Sequence, residues 1–282
     1  MSNLIKFFKK SPRYSIKWNN YFKIYEKILY KYKNKKIKFV EIGIGDGGSL
    51  FMWRSFFKKK IDIIGVDLNP DAKKLERFGF KIEIGDQADP NFWKKFYKKY
   101  GKIDVLLDDG GHKNIQQITT LMESINFIKP DGTILIEDTH TSYMKKKGFK
   151  NPSKYSLINF SNFLIENIHR QNPSINKRPN FITRKIESIS YYDSIVCINF
   201  FKKENKIHSK LFENNKKLRN FFTDYRHDGD FIRIKKNFEK KIGKIEKNSF
   251  VYNFIRKIFH RNLFLSLKEK FRIYRYKNIL KK

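Results

Sequence analysis

The sequence predicts a doubly wound α/β fold, with helices on both faces of a mostly parallel sheet of order 3-2-1-4-5-7-6. Short β-branched, apolar runs alternate with helical patterns between residues 36 and 203, which is typical of such a fold. A glycine-rich loop follows the first run, and Tyr192-Asp193 joins the last two runs as an antiparallel hairpin. This class of fold binds ligands beyond the carboxyl ends of its strands.

The individual elements can be placed in chain order. Residues 20–33 have helical apolar spacing and predict a helix that leads into the sheet. The predicted strands are residues 37–42, 61–66, 81–84, 103–107, 133–136, 186–191 and 194–200. The predicted helices lie at residues 49–57, after Pro70, after Asp89-Pro90, along the stripe of Ile115, Ile118, Met122 and Ile125, and at residues 153–171. Pro130-Asp131-Gly132 predicts a turn before the fifth strand, and residues 143–152 predict a loop or lid.

The composition limits the classes of protein to which this chain can belong. The chain has 282 residues, a formal net charge of +34 and one cysteine, Cys197. A lone cysteine excludes an intramolecular disulfide and is expected of a cytoplasmic protein. We find no apolar run of 18 residues and therefore expect no transmembrane helix. The charge is compatible with binding to nucleic acid or to anionic lipid, but the abundance of Lys, Ile and Asn is also typical of an AT-rich genome.

The chain divides by character into three predicted segments: a helical lead-in (1–35), the α/β domain (36–203) and a basic, mainly helical extension (204–282). Residues 206–282 contain 23 Lys or Arg against 7 acidic residues. Phe250, Phe254 and Ile258 with their neighbours predict a basic amphipathic helix. It has three possible partners, which are the core or another subunit of a homo-oligomer, an anionic membrane at the inner face, and nucleic acid.

A donor site is predicted after the first strand. Gly43, Gly45 and Gly47 allow a tight turn that brings backbone close to a ligand, as in enzymes that use NAD, FAD or S-adenosylmethionine. Glu41 favours S-adenosylmethionine, because a carboxylate repels a pyrophosphate and suits an amino-acid ammonium group. Asp67 is placed for ribose hydroxyls and Asp86 for the adenine side, although both could simply cap helices. With the motifs around them, the predicted donor residues are Glu41, Gly43, Gly45, Gly47, Ser49, Asp67, Asp86, Gln87 and Asp108.

Three carboxylates follow the fourth and fifth strands, which are neighbours in the predicted sheet. Asp109, Glu137 and Asp138 should therefore meet, and such crowding is costly unless a cation neutralises it. Oxygen ligands favour Mg²⁺, whereas the alternative is a set of solvated loop charges. His112, three residues after Asp109, is the predicted general base. His140 and Tyr143 are tentative substrate residues, with a structural role preferred for His140.

These motifs occur in an order that resembles the metal-dependent macrolide-sugar O-methyltransferases, of which the mycinamicin and macrocin enzymes are typical. The resemblance covers residues 36–203 and rests on the following segments: Glu41-Ile42-Gly43, Gly47-Gly48-Ser49-Leu50, Met52-Trp53-Arg54, Gly85-Asp86-Gln87, Asp108-Asp109-Gly110-Gly111-His112 and Glu137 to Tyr143. It implies a class I methyltransferase that uses S-adenosylmethionine, with Mg²⁺ on Asp109, Glu137 and Asp138 and with His112 as base.

The predicted function is therefore Mg²⁺-dependent transfer of a methyl group to a sugar hydroxyl of a surface glycan or glycosylated metabolite. Two alternatives stay open. The high charge motivates an RNA methyltransferase, although we find no base-methylating motif or RNA-binding module in the sequence. The other alternative is a non-catalytic scaffold, which would have little need of a costly cluster of carboxylates.

Overall fold

The computed structural model describes most of the α/β region and a small part of the chain after it. The described residues are 3–58, 61–144, 155–170, 172, 180–203, 236–237, 239–240, 246, 249–250, 253–254 and 263–280. The chain divides into two compact units, residues 1–211 and residues 212–282. The domain boundaries expected at residues 35 and 203 stay predictions.

The first unit contains a seven-stranded sheet of order β3-β2-β1-β4-β5-β7-β6. The strands are β1 (Ile37–Ile42), β2 (Ile61–Asp67), β3 (Lys81–Ile84), β4 (Ile103–Asp108), β5 (Ile128–Ile136), β6 (Ile186–Tyr192) and β7 (Ile195–Phe200). β1 pairs in parallel with both β2 and β4, whereas β7 pairs antiparallel with β5 and β6. The predicted order and the antiparallel final hairpin are confirmed.

Helices cover both faces of this sheet. They are α1 (Asn3–Lys9), α2 (Tyr21–Leu29), α3 (Gly48–Phe57), α4 (Pro90–Tyr100), α5 (Asn114–Ser124), α6 (Leu157–His169) and α7 (Phe181–Lys185), with 3₁₀ helices at Tyr30–Tyr32, Pro70–Phe78 and Thr139–Tyr143. Successive strand residues point to opposite faces, so Phe39 packs in one apolar cluster with α2 and α3, and Val40 packs in the other with α4. Burial on both faces explains the continuous apolar runs in these strands.

Two expectations about local structure are wrong in part or in full. In α5 the predicted apolar stripe is only partly buried: Ile125 is buried and Ile118 packs against the core, but Ile115 is 63% exposed. The buried face of the helix also contains polar residues, namely Gln117, Thr120 and Ser124. Gln117 is buried because its side-chain amide donates to the carbonyl of Glu137 at 2.9 Å. Pro130-Asp131-Gly132 does not precede β5 but lies inside it, where the pairing with β4 shifts register. Asp131 adopts a positive φ of 62° at this irregularity.

The described part of the second unit contains one long helix, α8 (Leu263–Ile279). Most of the basic amphipathic segment expected at residues 250–259 lies outside the described residues, as do residues 145–152 of the expected loop or lid. Among the described helices, none combines the length and apolar character that crossing a bilayer requires.

Candidate functional site

The site forms where the strand order reverses, between the carboxyl ends of β1 and β4. The backbone N–H of Asp109 donates to the carbonyl of Ile42 at 3.1 Å, which extends the β1–β4 pairing past Asp108. Gly43 has a φ of 77°, and a Cβ at this position would lie 2.0 Å from the carbonyl oxygen of Asp109. The close approach of the two strand ends therefore requires glycine.

A cavity of about 330 Å³ opens beside these strand ends. Five predicted donor residues are among those that line it: Gly43, Gly45, Asp67, Asp86 and Gln87. Asp67 accepts the backbone N–H groups of Gly45 at 3.0 Å and Asn69 at 2.9 Å, so it holds the glycine loop while facing the cavity. Asp86 accepts the backbone N–H of Ala88 at 2.8 Å. Both aspartates thus make the capping contacts expected of the structural alternative and also contribute to the cavity wall.

The other four predicted donor residues do not line this cavity. Gly47 precedes α3 with a φ of 87°. Asp108 is fully buried, and both of its carboxylate oxygens accept from Nε2 of Gln87, at 3.0 and 3.1 Å. Gln87 in turn accepts the backbone N–H of Gly111 at 2.9 Å. Asp108 and Gln87 therefore hold the loop after β4 in position through these hydrogen bonds.

Glu41 and Ser49 form a buried pair at the end of β1. The hydroxyl of Ser49 donates to Oε2 of Glu41 at 2.9 Å, whereas Oε1 is buried and has no hydrogen bond with any of the described residues. Burial raises the pKa of Glu41 to about 7, despite the opposing effect of the nearby Lys17 ammonium. A buried carboxylate oxygen that lacks a hydrogen bond can accept one from an additional cationic donor.

Asp109, His112 and Asp138 come together at the ends of β4 and β5. Each offers one ligand atom, and these atoms lie within 4.8 Å of one another. Nε2 of His112 lies 3.3 Å from Oδ2 of Asp138 and 4.0 Å from Oδ1 of Asp109. His112 and Asp138 have left-handed φ values of 56° and 51°. Non-glycine residues rarely adopt this conformation, and such strain is concentrated at functional sites.

A lysine that the sequence analysis did not single out occupies the other side of Asp109. Nζ of Lys17 lies 2.6 Å from Oδ2 of Asp109, 3.0 Å from Oε2 of Glu137 and 3.6 Å from Oε1 of Glu41. Its side chain is 2% exposed. Burial lowers the pKa of Lys17, but the three carboxylates outweigh it and the net pKa is raised above its usual value. Glu137 thus contacts Lys17, whereas Asp109 lies between Lys17 and His112.

Two tyrosines of α2 complete this arrangement. The hydroxyl of Tyr21 donates to Oδ1 of Asp138, and the hydroxyl of Tyr25 donates to Oε1 of Glu137. Lys17, Tyr21 and Tyr25 are spaced four residues apart. Tyr21 and Tyr25 lie one turn apart on α2, whereas Lys17 precedes the helix. The helical spacing could therefore have revealed the two tyrosines but not Lys17.

Lys17 belongs to an extended segment, residues 11–20, that we call the strap. Its inner side chains are polar: Ser11 donates to the carbonyl of Gly48 at 2.9 Å, and Arg13 pairs with Asp46. Tyr14, Ile16 and Trp18 alternate with them and are exposed. Trp18 is 59% exposed, and its Nε1 donates to Oδ1 of Asp138 at 3.1 Å. The strap therefore has a polar inner face on the site and an apolar outer face.

The tentative substrate residues, His140 and Tyr143, belong to the 3₁₀ helix that follows Asp138. Nδ1 of His140 bonds the hydroxyl of Ser194, and its ring packs edge-on against Trp18 at 6.2 Å between centroids. The structural role preferred for His140 stays a prediction. Tyr143 is 60% exposed and is the last residue of the 3₁₀ helix that begins after Asp138.

The carboxylates present fit a divalent cation. Oxygen atoms of β4 and β5 converge on the Lys17 ammonium group, which indicates that this point stabilises positive charge. One ammonium does not balance the four carboxylates of Glu41, Asp109, Glu137 and Asp138. The group that converges is Asp109, His112 and Asp138, and Glu137 lies on the Lys17 side of Asp109. Carboxylate oxygens such as these are the ligands that Mg²⁺ selects.

Comparison with known proteins supports the fold and the resemblance. No family model matches the chain. Over 186 residues it is 30% identical to the mycinamicin VI 2''-O-methyltransferase of Micromonospora griseorubida, covering 62% of this chain and 46% of that protein. It is 29% identical to the demethylmacrocin O-methyltransferase of Streptomyces fradiae, covering 62% of this chain and 47% of that protein. It is also 27% identical over 209 residues to the 8-demethyl-8-alpha-L-rhamnosyl tetracenomycin-C 2'-O-methyltransferase of Streptomyces olivaceus. This match covers 70% of this chain and 54% of that protein.

Among solved structures, the chain is similar to the MycE methyltransferase from the mycinamycin biosynthetic pathway in complex with Mg, SAH and mycinamycin VI. The TM-score is 0.64 at 23% identity, over 83% of this chain and 58% of that chain. This chain thus spans about half the length of the curated relatives that it matches. The expected resemblance to the macrolide-sugar O-methyltransferases and the methyltransferase fold are confirmed.

Proposed function

We propose that this chain transfers a methyl group from S-adenosylmethionine to a hydroxyl group of a sugar and uses a divalent cation such as Mg²⁺. The observation that carries the proposal is the double position of Asp109. Its carboxylate belongs to the group formed with His112 and Asp138, and the same residue lines the 330 Å³ cavity. A donor in the cavity and an acceptor at the carboxylates would therefore meet at Asp109.

The donor is proposed to bind with its nucleoside in the cavity. Asp67 and Asp86 offer carboxylate oxygens to the ribose and the adenine side. Gln87 and the loop after β4 also line the cavity. Glu41 is proposed to receive the ammonium group, since its Oε1 is buried and lacks a hydrogen bond. Ser49 keeps the carboxylate in that orientation.

The chemical step is assigned to His112. Its Nε2 faces Asp138 at 3.3 Å, so an acceptor hydroxyl held beside Asp138 can pass its proton to this nitrogen while its oxygen attacks the methyl group. Asp109, Glu137 and Asp138 would hold the divalent cation, which when bound lowers the pKa of the acceptor hydroxyl. Holding the hydroxyl and the methyl group in line supplies much of the rate.

The acceptor class rests on the relatives, one of which is named for a rhamnosyl compound. Exposed aromatic rings at the rim, Trp18 and Tyr143, offer surfaces against which a sugar ring can pack. A surface glycan or a glycosylated metabolite is the acceptor that we propose. Contact of the basic residues 206–282 with an anionic membrane, and a cytoplasmic location, belong to the same proposal.

The direct test is methyl transfer from labelled S-adenosylmethionine to a panel of methyl glycosides that carry neighbouring hydroxyls, read by mass spectrometry. We expect a product of one added methyl group with Mg²⁺ and loss of turnover in EDTA. Full activity in EDTA would contradict the cation, and NAD binding without any response to S-adenosylhomocysteine would contradict the donor. Methylation of RNA but of no glycoside would favour the RNA alternative.

A further inference from the structure

We propose that Lys17 is a positioning residue whose ammonium group and the divalent cation are alternative occupants of the space between Asp109 and Glu137. The inference rests on the proposed function, because it concerns the same carboxylates. It adds Lys17 to the residues of the site and assigns it an exchange with the cation. This exchange couples binding of the cation to binding of the donor.

The first argument is that both cations need the same oxygens. Nζ of Lys17 contacts Oδ2 of Asp109 at 2.6 Å and both oxygens of Glu137 at 3.0 and 3.1 Å. Mg²⁺ binds oxygen at about 2.0–2.1 Å and demands near-octahedral geometry. A cation bound to these oxygens would lie against the ammonium group, and the two like charges would repel each other strongly in a buried place.

The second argument is that Lys17 can leave without unfolding the strap. Ser11 and Arg13 tie the strap to Gly48 and Asp46, and Asn20 donates to Oδ2 of Asp193 at 3.0 Å. These anchors do not involve Lys17. Its ammonium group is carried on a flexible four-carbon stem, so the side chain can swing outward while the backbone of the strap stays attached.

The third argument is the contact of Lys17 with the donor side. The same Nζ lies 3.6 Å from Oε1 of Glu41, the oxygen that has no hydrogen bond and is proposed to receive the donor's ammonium group. When the Lys17 side chain leaves, its positive charge no longer repels the ammonium group of a donor bound at Glu41. Binding of the cation should therefore strengthen binding of the donor, and linkage requires the converse to hold equally.

The exchange predicts a reduced apparent affinity for the cation in the unmodified chain. If Lys17 is engaged in about 90–99% of molecules, the affinity falls by about 10–100-fold relative to a chain without the ammonium group. Lys17→Met should therefore bind Mg²⁺ more tightly by about that factor. A lysine with only a structural role would leave the affinity unchanged or weaken it when removed.

The first experiment is calorimetric titration of the full chain with Mg²⁺ alone, and with S-adenosylhomocysteine in the presence and absence of Mg²⁺. Lys17→Arg retains the charge and should keep the weak affinity. Lys31→Met is the matched control, because Lys31 pairs with Asp131 at 2.9 Å, within the irregular part of β5. It should bind Mg²⁺ as the unmodified chain does. In Lys17→Met, Mg²⁺ should no longer strengthen S-adenosylhomocysteine binding.

The second experiment uses the unmodified chain and so does not depend on the folding of a variant. An amine-acetylating reagent is applied with and without saturating Mg²⁺, and the modification of Lys17 is measured on its peptide. Lys17 should be protected without the cation, since its side chain is 2% exposed, and should become reactive when the cation is bound. Lys31 should react equally in both conditions.

The outcomes separate this inference from the proposed function. Binding of Mg²⁺ with Lys17 still protected, or equal affinities in Lys17→Met and the unmodified chain, would overturn the exchange and leave the methyltransferase proposal intact. If neither chain binds any Mg²⁺, both the exchange and the cation in the proposed function are wrong. Tighter binding by Lys17→Met together with exposure of Lys17 on Mg²⁺ binding would establish the exchange.

Discussion

The hydroxyl of Ser49 donates to one carboxylate oxygen of Glu41 at 2.9 Å, and the other oxygen of Glu41 is buried without a hydrogen bond. Ser49 is in the first turn of α3 and Glu41 is in β1, so the bond fixes the carboxylate relative to the glycine loop. Burial raises the pKa of Glu41 to about 7. The charge of this carboxylate therefore changes near neutral pH.

Donor binding should depend on this charge. Below pH 7 Glu41 is mostly protonated and cannot pair with an ammonium group, whereas above pH 7 it is ionised. At pH 6 only about a tenth of the carboxyl is ionised if the pKa is about 7. We expect S-adenosylhomocysteine to bind about tenfold more weakly at pH 6 than at pH 8 in calorimetry. Glu41→Gln should bind weakly at both values, and an equal pH response in that variant would assign the effect to another group.

Gly43→Ala should destabilise the fold. The added Cβ would lie 2.0 Å from the carbonyl oxygen of Asp109, at a φ of 77°, so conformational strain and a clash with backbone act together. We expect a loss of about 3 kcal/mol or more in the free energy of unfolding, measured by urea titration. Gly101→Ala is the control, because it has a φ of 63° and no atom within 4 Å of its Cβ. With a ψ of −151°, Gly101→Ala should lose about 1–3 kcal/mol in the free energy of unfolding from backbone strain alone. Equal losses in the two variants would show that the clash at Gly43 is relieved.

Replacement of His112 should separate chemistry from binding. His112→Gln removes the proposed proton acceptor, and we expect kcat to fall by about 10²–10⁴-fold while S-adenosylhomocysteine affinity stays within about twofold. The matched control is His169→Gln, at the exposed end of α6, which should retain full activity. A His112→Gln variant with unchanged kcat would place the base elsewhere, with Tyr143 or His140 as the next candidates.

The sheet and its loops could be predicted because their signals are local. Each strand is a continuous apolar run that both faces of the sheet bury, and Gly43, Asp67 and Asp109 follow directly on strand ends. The buried face of α5 was predicted only in part, because polar side chains are buried there beside Ile125. Gln117 satisfies the carbonyl of Glu137, which turns Ile115 outward, and a pattern of apolar residues cannot reveal such a bond.

The strap could not be predicted from local pattern either. Lys17 is separated from Asp109 by 92 residues and from Glu137 by 120. No spacing rule connects residues this far apart, and a lysine in a segment without regular structure is ordinarily a solvated surface residue. Only the assembled sheet brings the carboxylates within reach of the Lys17 ammonium group.

The basic extension should bind anionic membranes weakly if the proposed contact of residues 206–282 with an anionic membrane is correct. We expect the full chain to sediment with vesicles that contain phosphatidylserine at low salt and to be released by about 0.5 M salt, since screening shortens the range of surface charge. A chain that lacks residues 206–282 should bind these vesicles less but bind S-adenosylhomocysteine equally. No sedimentation of the full chain at low salt would favour packing or oligomerisation instead.

The contacts of the strap also impose an order on biosynthesis. Lys17 leaves the ribosome long before Asp109 and Glu137, and 120 residues separate it from the later partner. At roughly 5–20 residues per second, the lysine waits on the order of ten seconds for its carboxylates. During this time its neighbours Tyr14, Ile16 and Trp18 are available to chaperones or to nascent copies. Lys17 is thus secured only after β5 has been synthesised, although Ser11 and Arg13 can reach Gly48 and Asp46 earlier. A pause in translation between β1 and β5 should therefore increase misfolding more than a pause after β7.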